Sequence, residues 1–248
     1  MHRPRSASPA PANCYDICVT PQLRLGVGDP NMVRRFSGNE LVCVRGEKTV
    51  FERLSFSVSD GDALVLRGPN GSGKSSLLRV MAGLLQAESG ALLRNERDVT
   101  ENLLLHRASL HYVGHQNALK PLLTVIENLA FAASLRSREN RCRNALETFA
   151  LANLADVPVR LLSAGQRRRL TLARLIASQS PLWLLDEPTT SLDEDAVATL
   201  QSVISSHRVD GGIVVLAAHS AQTTESPSEL DLRSFAPLGG AQSEAAPL

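Results

Sequence analysis

Gly68-Pro69-Asn70-Gly71-Ser72-Gly73-Lys74-Ser75 spaces two glycines, a lysine and a hydroxyl in the pattern G-x-x-x-x-G-K-[ST]. The chemistry this spacing suits is holding a chain of phosphates. Glycines let successive backbone N–H groups turn inward and line a concave anion nest. Lys74 adds a mobile point charge for the terminal phosphates, the Ser75 hydroxyl suits Mg²⁺, and Ser76 is counted with the loop as a nucleotide contact. An N–H bonded to a charged oxygen contributes about 1.5–3 kcal/mol, so several together hold a triphosphate firmly. A plain Gly/Ser-rich turn would match by chance in roughly one chain in a hundred of this length.

Such a loop must be carried between a strand and a helix. Ala63-Leu64-Val65-Leu66 reads as a buried strand before it, and Leu77, Leu78, Met81, Leu84 and Leu85 follow helical spacing after it. Glu40 to Arg45 and Leu54 to Val58 alternate as half-buried strands do, and with Ala91–Leu93 they predict a small antiparallel layer. Thr124-Val125-Ile126-Glu127 has the form of a capping box. Cys142, Ala145, Leu146, Phe149 and Ala150 then recur at helical spacing, which predicts a helical insertion over roughly 118–160. Leu182–Leu185 and Ile213–Ala218 are continuous apolar runs suited to a parallel sheet. Leu230–Phe235 fits one last strand.

Composition narrows the class. The chain has 248 residues and a formal charge of +1, which gives no global pull toward nucleic acid or an anionic membrane. No uninterrupted apolar run reaches the ~18 residues of a spanning helix. Cys14, Cys18, Cys43 and Cys142 make no zinc pattern. Residues 1–38 hold five of the thirteen prolines, five Arg, no Lys and no Glu. They read as a disordered extension, or as a start placed ahead of a true Met32; an Arg-rich organellar targeting segment is the alternative, ill served by its prolines. The body is assigned to 39–238 and a disordered tail to 239–248.

Leu182-Trp183-Leu184-Leu185-Asp186 is a hydrophobic strand ending in a carboxylate suited to Mg²⁺. Glu187 comes next, placed to accept a proton from an attacking water, and a general base typically contributes about 10²–10⁴-fold. Ser163 fits a helix N-cap, and the N-terminus of that helix favours an anion. Arg167, Arg168 and Arg169 read as its solvated face. Leu162-Ser163-Ala164-Gly165-Gln166 closely resembles the LSGGQ signature of the ATP-binding-cassette (ABC) ATPases, with Ala164 for the first glycine.

That resemblance spans residues 39–235 and implies an α/β fold of the P-loop NTPase type: a mainly parallel sheet core, a small antiparallel β subdomain and a helical subdomain. Gln116 looks like the family's Q-loop glutamine, which senses Mg²⁺ and links the site to a membrane partner. Ser191-Leu192-Asp193 looks like the D-loop, and His219 like the switch histidine. Arg45 stands where many members stack an aromatic on adenine; a guanidinium can also stack on a base. The resemblance further implies a homodimer with two interfacial ATP sites. Gln116, Glu187 and His219 would act from the loop-bearing subunit, while Ser163, Ala164, Gly165, Gln166 and Asp193 are lent across the interface.

In finer texture the chain is similar to the CcmA family of cytochrome c biogenesis ATP-binding proteins. The runs that carry this are Val44-Arg45-Gly46-Glu47-Lys48, Gly114-His115-Gln116, Leu162 to Leu170, Pro181 to Leu185 and Gly211 to Val215. It implies integral membrane partners of the CcmB and CcmC type, a peripheral place on the cytoplasmic face of the inner membrane, and ATP with Mg²⁺ as cofactors. Neither nucleic acid nor direct haem binding is expected. The rivals are the ATPase of another transporter and a mechanical or repair ATPase; the latter lacks support from a heptad coiled coil or a basic patch with interleaved aromatics.

Overall fold

The structure, a computed structural model, describes residues 35–135, 141–218 and 226–237. In chain order the elements are β1 (Arg35–Arg45), β2 (Lys48–Ser59), β3 (Ala63–Arg67), α1 (Lys74–Met81), β4 (Ser89–Arg94), β5 (Arg97–Asp98), α2 (Leu103–Ala108) and β6 (Leu110–Val113). There follow α3 (Val125–Ser134), α4 (Cys142–Thr148), α5 (Ala164–Ala177), β7 (Leu182–Asp186), α6 (Glu194–Val209), β8 (Ile213–Ala217) and β9 (Ser228–Asp231).

Two sheets form. One is antiparallel in the order β2-β1-β4-β5; the other runs β6-β7-β8-β3-β9 with every neighbouring pair parallel. The central strands β3, β7 and β8 are covered on both faces, which is why they read as unbroken apolar runs. Successive side chains part to opposite cores, as the two-residue period of a strand requires. Val65, Trp183, Leu185, Val214 and Leu216 face α3, α4, α5 and α6. Leu64, Leu66, Leu182, Leu184 and Val215 face α1 and the antiparallel sheet, through Leu77, Leu78, Phe51 and Leu54. Burying one such side chain stabilises by about 1.5–3 kcal/mol, so both helical layers are held to the sheet mainly by this burial.

Register decides what shares an edge. Val113 lies opposite Leu185, Asp186 opposite Ala217, and Ala217 opposite Leu66. The carboxyl ends of β6, β7, β8 and β3 therefore come level, the edge where open α/β sheets bind ligands.

Several local expectations are corrected. α1 stops at Met81; Gly83 takes a left-handed φ of 65° and Leu84 turns out, 56% exposed, instead of continuing the apolar stripe. α4 stops at Thr148, and Ala150 adopts φ 53° beyond its end. Residues 230–235 are not one strand. β9 ends at Asp231, whose carboxylate accepts the Arg233 N–H at 3.0 Å and turns Leu232–Phe235 into a 3-10 helix. β1 begins at Arg35, within the segment that composition set apart, because Phe36 is buried edge-on against Phe56.

Cys43 and Cys142 are buried and in no disulfide among the described residues, and burial pushes both thiols up; Cys14 and Cys18 lie outside the described residues. No helix among the described residues is long and apolar enough to cross a membrane.

Candidate functional site

The loop 68–75 leaves β3 and enters α1 at Gly73. Gly73 has φ 100°, and a Cβ there would lie 2.5 Å from Val50 Cγ1 of β2, so any other residue would take a strained backbone and displace the Val50 side chain. α1 has no side-chain cap, which leaves its first N–H groups directed at the loop. Pro69, Asn70 and Gly71 are exposed, Gly68, Ser72, Ser75 and Ser76 half-buried, and Lys74 buried. The Lys74 ammonium donates to the Gly68 and Pro69 carbonyls at 2.7 and 3.0 Å, spanning the base of the loop. Ser72 Oγ is buried with no protein partner.

Ser75 joins the loop to the second motif. Its hydroxyl donates to Asp186 Oδ1 at 3.0 Å, although the two are 111 residues apart. Asp186 is buried at the end of β7. A hydroxyl and a carboxylate oxygen in contact are hard donors of the kind Mg²⁺ takes alongside phosphate oxygens, so the residues present fit that ion. Asp186 also acts on Tyr112, whose hydroxyl is pushed up first by burial and further by this charge, against a hydrogen bond from Arg79.

Glu187 follows in the left-handed region at φ 46°, with its N–H on the Ala217 carbonyl at 3.0 Å. Gln116 lies exposed in the turn after β6. His219 lies outside the described residues; β8, which leads to it, ends at Ala217. Arg45 closes β1 at an exposed hairpin, paired in register with Lys48. The β2 residue that meets the loop is Val50, which spacing alone did not single out.

α5 carries the third motif. Ser163 is its N-cap: Ser163 Oγ accepts the Gln166 N–H at 3.2 Å, and Gln166 Oε1 accepts the Ser163 N–H at 2.8 Å, a reciprocal capping box. Ala164 stands where the family signature has its first glycine. A Cβ on Gly165, by contrast, would come within 3.0 Å of the Ser191 carbonyl. Asp193 caps α6 by accepting the Ala196 N–H at 3.1 Å and pairs with Arg169.

The arginine run is not a solvated face. Arg168 is 3% exposed, and its guanidinium donates to the carbonyls of Gly114, Asp186, Glu187 and Pro188. Burial pulls it below its ordinary value, while the charges of Asp186 and Glu187 oppose that. A signal was available: 168, 171, 172 and 175 share one helical face, and all four are buried.

Comparison with known proteins agrees with this geometry. Residues 51–190 match the ABC transporter family. The cytochrome c biogenesis ATP-binding export protein CcmA of Paramagnetospirillum magneticum is 52% identical over 206 residues, 81% of this chain and 95% of that protein. Among solved structures, an ABC transporter ATP-binding protein from Pyrococcus furiosus superposes with a TM-score of 0.71 at 22% identity, over 82% of this chain and 100% of the other. An ATP-binding cassette solved as a dimer in a post-hydrolysis state, bound to ADP and Pi, gives 0.64 at 24% identity, over 76% and 89%. Phosphate loop, strand-end carboxylate and capped signature helix meet at one sheet edge in a chain so matched: it belongs to the ATP-binding proteins of the ABC transporter family, among the relatives named CcmA.

Proposed function

We propose that this chain is the ATP-hydrolysing subunit of an ABC-type membrane complex acting in cytochrome c biogenesis, in haem export or release of a haem-loaded chaperone. The CcmA relative supports the biological setting. The observation that carries the chemistry is the contact of Ser75 with Asp186, which brings the hydroxyl of the loop to the carboxylate of the strand end.

In this reading the backbone of Gly68 to Gly73 and the hydroxyl of Ser76 hold the phosphates, and Lys74 neutralises the terminal two. Ser75, Asp186 and Gln116 hold Mg²⁺, which when bound offsets charge on the phosphate oxygens. Glu187 orients the attacking water and takes its proton, and His219 contacts the γ-phosphate. Arg45 stacks on the base. Ser163, Ala164, Gly165, Gln166 and Asp193 act on the nucleotide of a second copy: the N-terminus of α5 presents free N–H groups and a partial positive charge, which suits a γ-phosphate on the facing subunit. Two copies close on two ATP molecules, and hydrolysis releases them. The dimeric ADP-bound neighbour lends support to that arrangement at the level of fold. Membrane subunits of the CcmB and CcmC type hold the dimer peripherally on the cytoplasmic face of the inner membrane.

The test is to follow Glu187→Gln by light scattering with and without MgATP, and to identify what the parent chain brings down from detergent-solubilised membranes. A stable MgATP-dependent dimer and haem-handling membrane subunits are expected. A variant that stays monomeric contradicts the clamp, and a solute permease in the pull-down contradicts the biological setting.

A further inference from the structure

Arg168 is buried as deeply as the core around it, yet the shorter bonds its guanidinium makes are all to backbone carbonyls, with one long contact from Nη1 to Asn117 Oδ1 at 3.5 Å. Nε donates to Pro188 at 3.1 Å, Nη1 to Gly114 at 2.9 Å, and Nη2 to Asp186 at 3.1 Å and Glu187 at 2.7 Å. Three of these carbonyls are consecutive and lie where β7 runs out; the fourth lies just past β6. At the carboxyl edge the strand ladder runs out, and Arg168 donates to all four carbonyls, beside the Thr190 N–H that also reaches Glu187.

Glu187 sits among them in a left-handed conformation, sparsely populated for a residue with a side chain and kept only where its surroundings over-determine it. Its backbone is held here from both sides: the Ala217 carbonyl takes the Glu187 N–H, and the Glu187 carbonyl takes the Arg168 guanidinium and the Thr190 N–H at 3.2 Å. The turn carrying Gln116 is tied to the same helix on both sides. Arg168 holds Gly114, and Thr171, on the same face of α5, donates its hydroxyl to the Asn117 carbonyl at 3.2 Å.

We propose that Arg168 is a positioning residue for ATP hydrolysis: it fixes the backbone of Glu187 and the turn of Gln116 to α5, so that both side chains keep their place and move with the helix that Ser163 caps. The inference rests on the reading of Glu187 and Gln116 given above. Only a planar fork of donors spans carbonyls on two strand ends at once; a lysine ammonium is a single point and cannot.

The test compares Arg168→Lys and Arg168→Gln with the parent in the full chain, by MgATP turnover and by calorimetric ATP affinity. The kcat of Arg168→Lys is expected to fall about ten- to hundredfold, the scale of a small misplacement at a reacting centre. Its Kd for ATP stays within about threefold, because the phosphate loop is untouched. In a Glu187→Gln background the same substitution costs a smaller factor of residual turnover than in the parent, since of the two groups it positions only Gln116 is left. Arg168→Lys carries the test if Arg168→Gln does not fold. Parent kcat in Arg168→Lys, a parallel loss of affinity, or an equal drop in both backgrounds overturns the proposal while leaving the ATPase reading intact. Equal turnover by the parent and Lys74→Ala would overturn the reading of the ATP site, and this inference with it.

Discussion

Arg169, on the second turn of α5, forms an ion pair with Asp193, the N-cap of α6. The two helices capped by Ser163 and Asp193 are thus coupled inside one subunit. The Asp193 carboxyl is held below its ordinary value, first by the Ala196 N–H and then by Arg169. With the folded value depressed, the contribution is present above the ordinary carboxylate range and is lost as pH falls below it. Asp193→Asn keeps a capping acceptor and loses the ion pair; Asp193→Ala loses both. Thermal denaturation should rank them parent, Asn, Ala, with the gap between parent and Asn closing at high salt. Equal melting of all three would remove any role for the pair in stability.

Lys74→Ala takes away the one charge bonded across the base of the phosphate loop. A charged hydrogen bond is worth about 1.5–3 kcal/mol, so losing the contacts proposed between Lys74 and phosphate is expected to weaken ATP at least about a hundredfold. Calorimetry with MgATP measures it directly, and unchanged affinity would contradict the assignment.

Gly165 and Ala164 should respond in opposite ways. A methyl on Gly165 presses on the Ser191 carbonyl at 3.0 Å, a backbone atom that yields little. Gly165→Ala is expected to lower turnover about tenfold or more while leaving ATP affinity near that of the parent, because in the proposed dimer the displaced helix end serves the second copy's nucleotide. Ala164→Gly should stay within about threefold of the parent in the same steady-state assay, its cost confined to helix propensity in the first turn. A Gly165→Ala enzyme as fast as the parent would separate this helix end from hydrolysis.

His207 sets a pH dependence far from the nucleotide. Its ring lies parallel to Trp183 at 3.6 Å between centroids, and burial pushes its pKa down from 6.5 to about 4. Below pH 6.5 the unfolded chain takes up a proton that the folded chain refuses, so stability falls as pH drops toward 4 and levels off beneath it. The slope approaches roughly 1.4 kcal/mol per pH unit inside that window. His207→Phe keeps a ring against Trp183 and cannot titrate. Urea unfolding midpoints between pH 7 and 5 should decline in the parent and decline less in the variant; identical profiles would place the dependence elsewhere.

The features legible in the sequence were those made by residues close together in the chain. Thr124 with Glu127 forms the expected capping box and Ser163 the expected N-cap, which the structure closes into a second box with Gln166, each within three residues. The apolar runs at Ala63, Leu182 and Ile213 became parallel strands because a strand covered on both faces needs no alternation. Leu84, Ala150 and the stretch after Asp231 went astray because a periodic pattern does not say where a backbone leaves its helix or strand.

By itself, then, the order of residues determined the phosphate loop, the sheet that carries it and the caps of its helices, since each depends on local spacing and on solvent exclusion. The fold alone decided that Arg168 is interior, that Ser75 meets Asp186 and that Gly165 abuts Ser191. Arg168 and Gly114 are 54 positions apart, and Ser75 and Asp186 are 111. Those meetings depend on strand register, and a strand apolar on both faces carries little pattern from which its register could be read.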